Sequence, residues 1–493
     1  MKKLSIGEIA RLCGGKYIGN KADRLCGEIV TDSRRLSEDC VFFALKGERF
    51  DGHDYVEKAL SGGAAVAVVS DIDRFAGGGK DGNGEMIIVP DTLTALGNLA
   101  ASYLAGYFPD LRRAAVTGSV GKTSTKEMCS AVLAAGFRTR KTPENFNNEI
   151  GLPMTVFGLP EDTELFVAEM GMRGLNQINY LTRIVMPEAA VITNIGSAHL
   201  ELLGTRENIL RAKMEIVTPG APCSPEKPFI LAVNGDNDLL SDREALISLA
   251  NEYGREHLRI ISFGMKPWND FRATEAVGGS EGVNYLLICP DGNYQVRLHV
   301  PGEHNIYNSL AAVCLGYAFG IPVETSVEVL NRYGTKDGEQ PLRQKQEVLA
   351  KGSLTLMDDT YNAGPESMEA SLKVLKSIQA KVHIAALGDM LELGEKSGEF
   401  HRKTGKTAAD CCDKLFFAGN FAGQYLEGAE NRAESPGKTV NAACFPDSAR
   451  AAEAVCETLA KELAAGNSAA ILVKGSHAMH MELISKRIRE TFG

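Results

Sequence analysis

The sequence predicts an α/β protein of three domains: a mostly parallel central sheet of the phosphate-loop type, and a Rossmann-like α/β domain at the C-terminal end. Three observations support this. At 493 residues the chain exceeds what one ordinary core organises, and usual domain sizes give about three domains. Short apolar runs alternate with helical patterns, as in a parallel sheet covered on both faces. A glycine loop stands between one such run and a helix, the setting of a phosphate-binding turn.

The first 88 residues hold the apolar runs 41–45 and 64–69. A Gly- and Asp-rich stretch at 77–84 reads as a surface loop near the first boundary. The second domain, 89–320, opens with a strand at 114–117, and Met128 and Val132 share a face of the helix that follows. Further strands are expected at 165–168 and 189–193. Tyr294, Val296, Leu298 and Val300 alternate with Gln295, Arg297 and His299, the period of a half-buried strand. Pro290-Asp291-Gly292-Asn293 before it reads as a hairpin turn. The polar stretch 333–340 falls just inside a third domain, 321–493, with strands at 354–357, 383–387, 415–418 and 470–473.

Apolar residues make up 44% and charged residues 24%, an ordinary soluble balance. A formal charge of −10 argues against a general nucleic-acid binder, which needs a basic surface. Anionic ligands must then be held by local Lys, Arg and backbone N–H groups. The N-terminal stretch does not read as a signal peptide, and no apolar run approaches the ~20 residues of a membrane span. None of the eleven cysteines forms a C-x-x-C pair, and Cys411 and Cys412 are adjacent. Reduced, mostly buried thiols and a cytoplasmic location are expected.

Thr117-Gly118-Ser119-Val120-Gly121-Lys122-Thr123-Ser124-Thr125 lies between the strand and the helix. Gly118 to Ser124 would contact the phosphates through backbone N–H groups and the helix N-terminus. Lys122 would reach the β- and γ-phosphates, and Thr123 could ligate Mg²⁺. The loop is shorter than the general Walker pattern, because Val116 occupies the place of its first glycine. Such a loop alone does not separate a kinase, a GTPase, an ATPase or a ligase. Glu169 ends an apolar run and so falls at the ligand-binding edge of a parallel sheet. His199, at another strand end, reads by itself as a satisfied structural histidine.

The short loop resembles that of the Mur ligase superfamily, and the resemblance extends over nearly the whole chain. Thr31-Asp32-Ser33-Arg34, the run 41–47 and Asp51-Gly52-His53 look like its uridine-binding domain. That likeness implies Asp32, Ser33 and Arg34 as substrate contacts. Thr142-Pro143-Glu144-Asn145-Phe146-Asn147-Asn148 is similar to the muramoyl-peptide loop, implying Asn145, Asn147 and Asn148. Glu169-Met170-Gly171 and Asn194-Ile195-Gly196-Ser197-Ala198-His199 match metal-binding strand ends, so Glu169 and His199 join Thr123 as implied Mg²⁺ ligands. Histidine is an unusual partner for Mg²⁺, which prefers oxygen. The helix start His304-Asn305-Ile306-Tyr307-Asn308 resembles an adenine contact, implying Asn305 and Asn308.

The third domain points to the dipeptide-adding members. Asp358-Asp359-Thr360-Tyr361-Asn362-Ala363-Gly364-Pro365 resembles their Asp-Ser-Tyr-Asn-Ala-Asn-Pro stretch, with Thr360 and Gly364 as departures. Leu387-Gly388-Asp389-Met390, Glu392-Leu393-Gly394 and Lys474-Gly475-Ser476 also match. Asp359, Tyr361 and Arg343 are implied nucleotide contacts. The Asp-Asn-Pro-Arg motif expected of the lysine- or diaminopimelate-adding sibling is absent from the sequence. Folylpolyglutamate synthetases share the loop but lack this N-terminal domain. The resemblance thus implies an ATP- and Mg²⁺-dependent amide ligase of peptidoglycan precursor synthesis, acting as a monomer. Its substrates would be UDP-N-acetylmuramoyl-tripeptide and D-alanyl-D-alanine, joined through an acyl phosphate, with Lys122, Lys213 and His199 catalytic. The rival readings are a sibling ligase that adds another amino acid and a phosphate-loop switch driven by ATP.

Lys213 stands apart. Thr205 reads as an N-cap and 206–217 as a helix, with Lys213 on the face of Ile209, Leu210, Ile216 and Val217. A lysine there either snorkels to solvent or is buried, with a lowered pKa and a nucleophilic amine. The resemblance implies the second case: a lysine that adds CO₂ and, as a carbamate, offers oxygen to Mg²⁺. His477 and His480 read as surface or packing residues, and Glu392, Glu395 and Glu399 as a solvated face.

Overall fold

The computed structural model describes residues 1–47, 50–71, 74, 85–220, 223–335, 338, 345–431 and 440–493. The expected loop at 77–84 and Arg343 lie outside the described residues, as does most of the stretch from 336 to 344. The fold is α/β in three domains, each with its own main sheet. In the first, Glu28–Val30, Cys40–Phe43, Val66–Val69 and Met86–Ile88 run parallel, and Lys16–Ile18 closes one edge antiparallel. All four residues of Cys40–Phe43 and of Val66–Val69 are buried, as continuous apolar runs require when both sheet faces are covered.

The helix Thr92–Tyr107, capped by the Asp91 carboxylate, joins this domain to the next. Its Leu96, Leu99, Tyr103 and Leu104 sit in one core with Ile9, Val41 and Val66 on one side and Phe166, Ile178 and Leu231 on the other. The first two domains therefore share a core rather than merely touching.

The central sheet has nine strands. Arg112–Thr117 lies between Leu165–Glu169 and Ala189–Ile192. All pairings from Thr139–Lys141 across to Phe271–Gly279 are parallel. Gly282–Cys289 and Gly292–Leu298 then form the hairpin expected around Pro290 and Asp291. On the second face, Lys122–Leu133 and His304–Ala318 pack in a core that also takes Val323, Val327 and Leu330 of the helix Val323–Arg332, and Tyr333. Residues 323–333 were expected in the third domain; their apolar side chains are buried with the second.

The C-terminal sheet orders Lys345–Leu349, Leu354–Asp359, Ala469–Lys474, Val382–Gly388, Lys414–Ala418 and Ala442–Phe445, parallel except at the first edge. Helices on both faces enclose two cores drawn from this domain's own residues. All eleven cysteines are free thiols. Among the described residues no helix is long and apolar enough to cross a membrane.

Candidate active site

The C-terminal edges of the central strands open into a cleft of about 1100 Å³, roofed by the C-terminal domain. The glycine loop leaves Thr117 and enters the helix Lys122–Leu133 on this edge. Its shape is imposed by the next strand end. Asn194 Oδ1 accepts from Val120 N at 2.9 Å, and Asn194 O accepts from Ser119 N at 3.1 Å. Gly196 N donates to Ser119 Oγ at 2.9 Å, and Thr193 Oγ1 donates to Val120 O at 2.6 Å. The loop N–H groups of Ser119 and Val120, expected to face phosphate, are thus bonded to Asn194. The helix N-terminus remains the anion-facing element. Gly118 has φ +154°, and a Cβ there would lie 1.8 Å from Thr193 Oγ1. Lys122 Nζ folds back to donate to Gly118 O at 2.9 Å.

Glu169 is buried at its strand end. Its Oε1 accepts from Thr123 Oγ1 at 3.2 Å and from Asn147 Nδ2 at 2.8 Å. Asn145, Asn147 and Asn148 all line the cleft, and Asn148 Oδ1 caps the following helix by accepting from Gly151 N at 2.8 Å. One carboxylate and one hydroxyl in contact are a hard-oxygen set that suits Mg²⁺, whose other positions go to water and phosphate. His199 is not brought into this set. Its backbone is left-handed at φ +65°, and its Nδ1 lies 2.6 Å from Glu392 Oε2. Among the described residues no group of three His, Cys, Asp or Glu side chains could hold a metal.

Lys213 lies near the end of the helix Arg206–Met214, which Thr205 caps by accepting from Asn208 N. The expected single helix to 217 instead tightens into a 3₁₀ turn, Glu215–Val217. Only 1% of Lys213 is exposed, and it does not line the cleft. Burial first, and the charge of Lys122 second, push its ammonium pKa well below the ordinary lysine value.

From the C-terminal domain, Asp359 and Tyr361 line the cleft. Asp359 Oδ2 meets Lys474 Nζ at 2.5 Å and accepts from Ser371 Oγ at 2.7 Å. His304, half-buried in the cleft lining and facing this pair, has its pKa lowered to about 4 by desolvation. Asn308 lines the cleft and accepts from Thr125 Oγ1 at 2.9 Å, bracing the phosphate-loop helix. Asn305 does not line it; its Nδ2 donates to Pro301 O at 2.7 Å. Asp32, Ser33 and Arg34 sit on the turn after Glu28–Val30, away from the cleft lining. There the exposed Arg34 guanidinium grips Asp32 and lowers its carboxyl pKa to about 2.

One expectation needs correction. Glu392 is not on a solvated face, since it is half-buried, lines the cleft and pairs with His199, whose hydrogen bond lowers its pKa. His477 is exposed, as expected of a surface or packing residue, and lies at the cleft lining with its ring 6.0 Å from that of Tyr361. Glu366 carries no sequence signal, yet its Oε1 accepts from Ser197 N at 2.9 Å. The missing side chain of Gly196 allows this, because a Cβ there would come within 2.8 Å of the same oxygen.

Against this geometry, the sequence matches three family models: Mur ligase family, catalytic domain at 27–104; Mur ligase middle domain at 116–316; and Mur ligase, glutamate ligase domain at 345–477. It is 34% identical to the UDP-N-acetylmuramoyl-tripeptide–D-alanyl-D-alanine ligase of Bacillus subtilis, over 100% of this chain and 99% of the relative. The chain belongs to the Mur ligase family. The Escherichia coli protein of the same name is also 34% identical, over 83% of this chain and 84% of its own. Among solved structures, MurF from Acinetobacter baumannii superposes with a TM-score of 0.86 at 30% identity, covering 99% of both chains. MurF ligase from Thermotoga maritima, solved in complex with ADP, gives 0.73 at 26% identity over 94% and 97%.

Gly118→Ala is expected to weaken ADP binding by about tenfold or more, since its Cβ would drive Thr193 off the loop. Calorimetric titration checks this, and unchanged affinity would mean that the loop shape is not what holds nucleotide.

Proposed function

We propose that this chain joins D-alanyl-D-alanine to UDP-N-acetylmuramoyl-tripeptide at the expense of ATP, forming an amide bond in peptidoglycan precursor synthesis. The observation that carries the proposal is the single cleft. It gathers Lys122, Thr123 and Glu169, the asparagine loop 145–148, and Asp359, Tyr361 and Lys474 of the C-terminal domain. The full-length likeness to ligases named for this reaction supports the choice of substrates.

In this reading the terminal carboxylate of the tripeptide attacks the γ-phosphorus of ATP. A carboxyl O–P bond forms, the bond to ADP breaks, and an acyl phosphate results. The amine of the dipeptide then attacks the acyl carbon, and phosphate leaves as the amide forms. Phosphoryl transfer asks mainly for positioning and charge neutralisation. Lys122 releases the loop carbonyls of Gly118 and Ser119 to meet the transferring phosphate, and Asn145, Asn147 and Asn148 hold the carboxylate substrate in line. Thr123 and Glu169 would hold Mg²⁺, which when bound neutralises phosphate charge. The roof formed by residues 359–367, Glu392 and 474–478 excludes water from the acyl phosphate. Asp32, Ser33 and Arg34 would take the uridine end of the substrate.

Lys213 acts behind the phosphate loop. As a neutral amine it would add CO₂ and lose a proton, so that the amine becomes a carbamate anion whose oxygen would be available to Mg²⁺.

ADP should form at a useful rate only when the UDP-linked tripeptide, D-alanyl-D-alanine and Mg²⁺ are all present. A coupled ADP assay measures this, and equal release with glutamate or diaminopimelate in place of the dipeptide would overturn the substrate assignment.

Lys213→Ala is expected to be nearly inactive and partly restored by acetate. Lys213→Glu should retain more turnover than Lys213→Arg, because only glutamate restores an anion. A fully active Lys213→Arg enzyme would rule out the carbamate.

A further inference from the structure

Lys126 is a charge that the proposed chemistry leaves without a role. It lies on the helix Lys122–Leu133, one turn beyond Lys122, and is completely buried. Its Nζ donates to Thr142 O at 2.7 Å. The same ammonium stands 3.3 Å from Glu169 Oε2 and 3.4 Å from Glu127 Oε1. Glu127 Oε2 in turn lies 2.5 Å from Lys141 Nζ. Glu169, Lys126, Glu127 and Lys141 thus form a row of alternating charge that sums to zero. A buried ammonium is costly to desolvate unless such partners surround it.

The row gives the two oxygens of Glu169 different surroundings. Oε1 meets Thr123 and Asn147, which both line the cleft. Oε2 is buried, has no hydrogen-bond partner among the described residues, and faces Lys126, which does not line the cleft. The backbone tightens the arrangement, because Glu169 N donates to Thr142 Oγ1 at 2.9 Å while Lys126 holds Thr142 O.

We infer that Lys126 is a positioning residue: it draws Glu169 Oε2 inward, so that Oε1 alone is presented to a divalent cation on the nucleotide. The inference rests on the ligase reading only where that reading places a metal–nucleotide complex beside Glu169. Removing the ammonium has two opposed effects. Losing a positive charge near a cation site tightens metal binding by Coulomb attraction, whereas freeing the carboxylate to rotate loosens it. In a site this buried, loss of orientation dominates, as it does when partners that orient metal ligands are removed.

The test uses the full chain with ADP and Mn²⁺, read by electron paramagnetic resonance of the free ion. Lys126→Met should raise the Mn²⁺ Kd by about tenfold or more, while the metal-free ADP Kd stays within about twofold. An unchanged or tighter Mn²⁺ Kd in a folded Lys126→Met protein overturns the inference and leaves the ligase reading standing. If Lys126→Met does not fold, Glu169→Gln is compared with Glu169→Gln/Lys126→Met, which leaves no unpaired carboxylate at position 169. Equal Mn²⁺ affinity in that pair supports action through Glu169, and a further loss beyond about threefold overturns it. If the unsubstituted protein with ADP fails to bind Mn²⁺, the metal reading falls and takes this inference with it.

Discussion

The segment 193–201 is where the nucleotide loop and the domain arrangement meet. Its first residues clamp the loop, with Thr193 and Asn194 bonded to Val120 and Gly196 bonded to Ser119. Its later residues are gripped from above, Ser197 by Glu366, His199 by Glu392, and Glu201 N by Glu392 O. A parallel sheet makes this possible, because adjacent strands end on the same edge and place Thr117 and Ile192 side by side. The loop is therefore held in shape by protein groups, the preorganisation that phosphoryl transfer needs. Any shift of the C-terminal domain acts on the same few residues that shape the loop.

The parts of this site that sequence made legible were those with a local physical signature. The glycine loop between strand and helix, Glu169 at the end of an apolar run, and Lys213 within the apolar face of its helix all depend on neighbours in the chain. Glu392, Glu366 and His477 depend instead on how a distant domain docks, and no periodicity records that. Glu392 meets a histidine 193 positions away. Lys126 was hidden for another reason: a lysine–glutamate pair in a helix reads as solvated surface, and only the ends of Thr139–Lys141 and Leu165–Glu169, packed over it, make it interior. The helix Val323–Arg332 followed the same pattern, since which sheet it would cover depends on packing that no local signal records.

The two joints between domains differ in kind. The first and second domains are fused through the apolar face of Thr92–Tyr107. At the 195–201 segment the third domain is met by hydrogen bonds, and Phe400 packs against the shared core, while the domain's own cores are built from its own residues. Polar contacts of this sort part more readily than a shared core, which makes the C-terminal domain the one suited to admit and release substrates.

The shared core also bears on how the chain is made. One face of the first sheet closes on local residues between Val30 and Val69, but the other face joins a core that extends to Ala250. At ribosomal rates a nascent chain would wait on the order of ten seconds for that second face to be covered. During that interval Ile9, Val41 and Val66 have no finished core to enter. The cores of the last domain close within residues 354–488, a shorter stretch of chain, and so wait somewhat less.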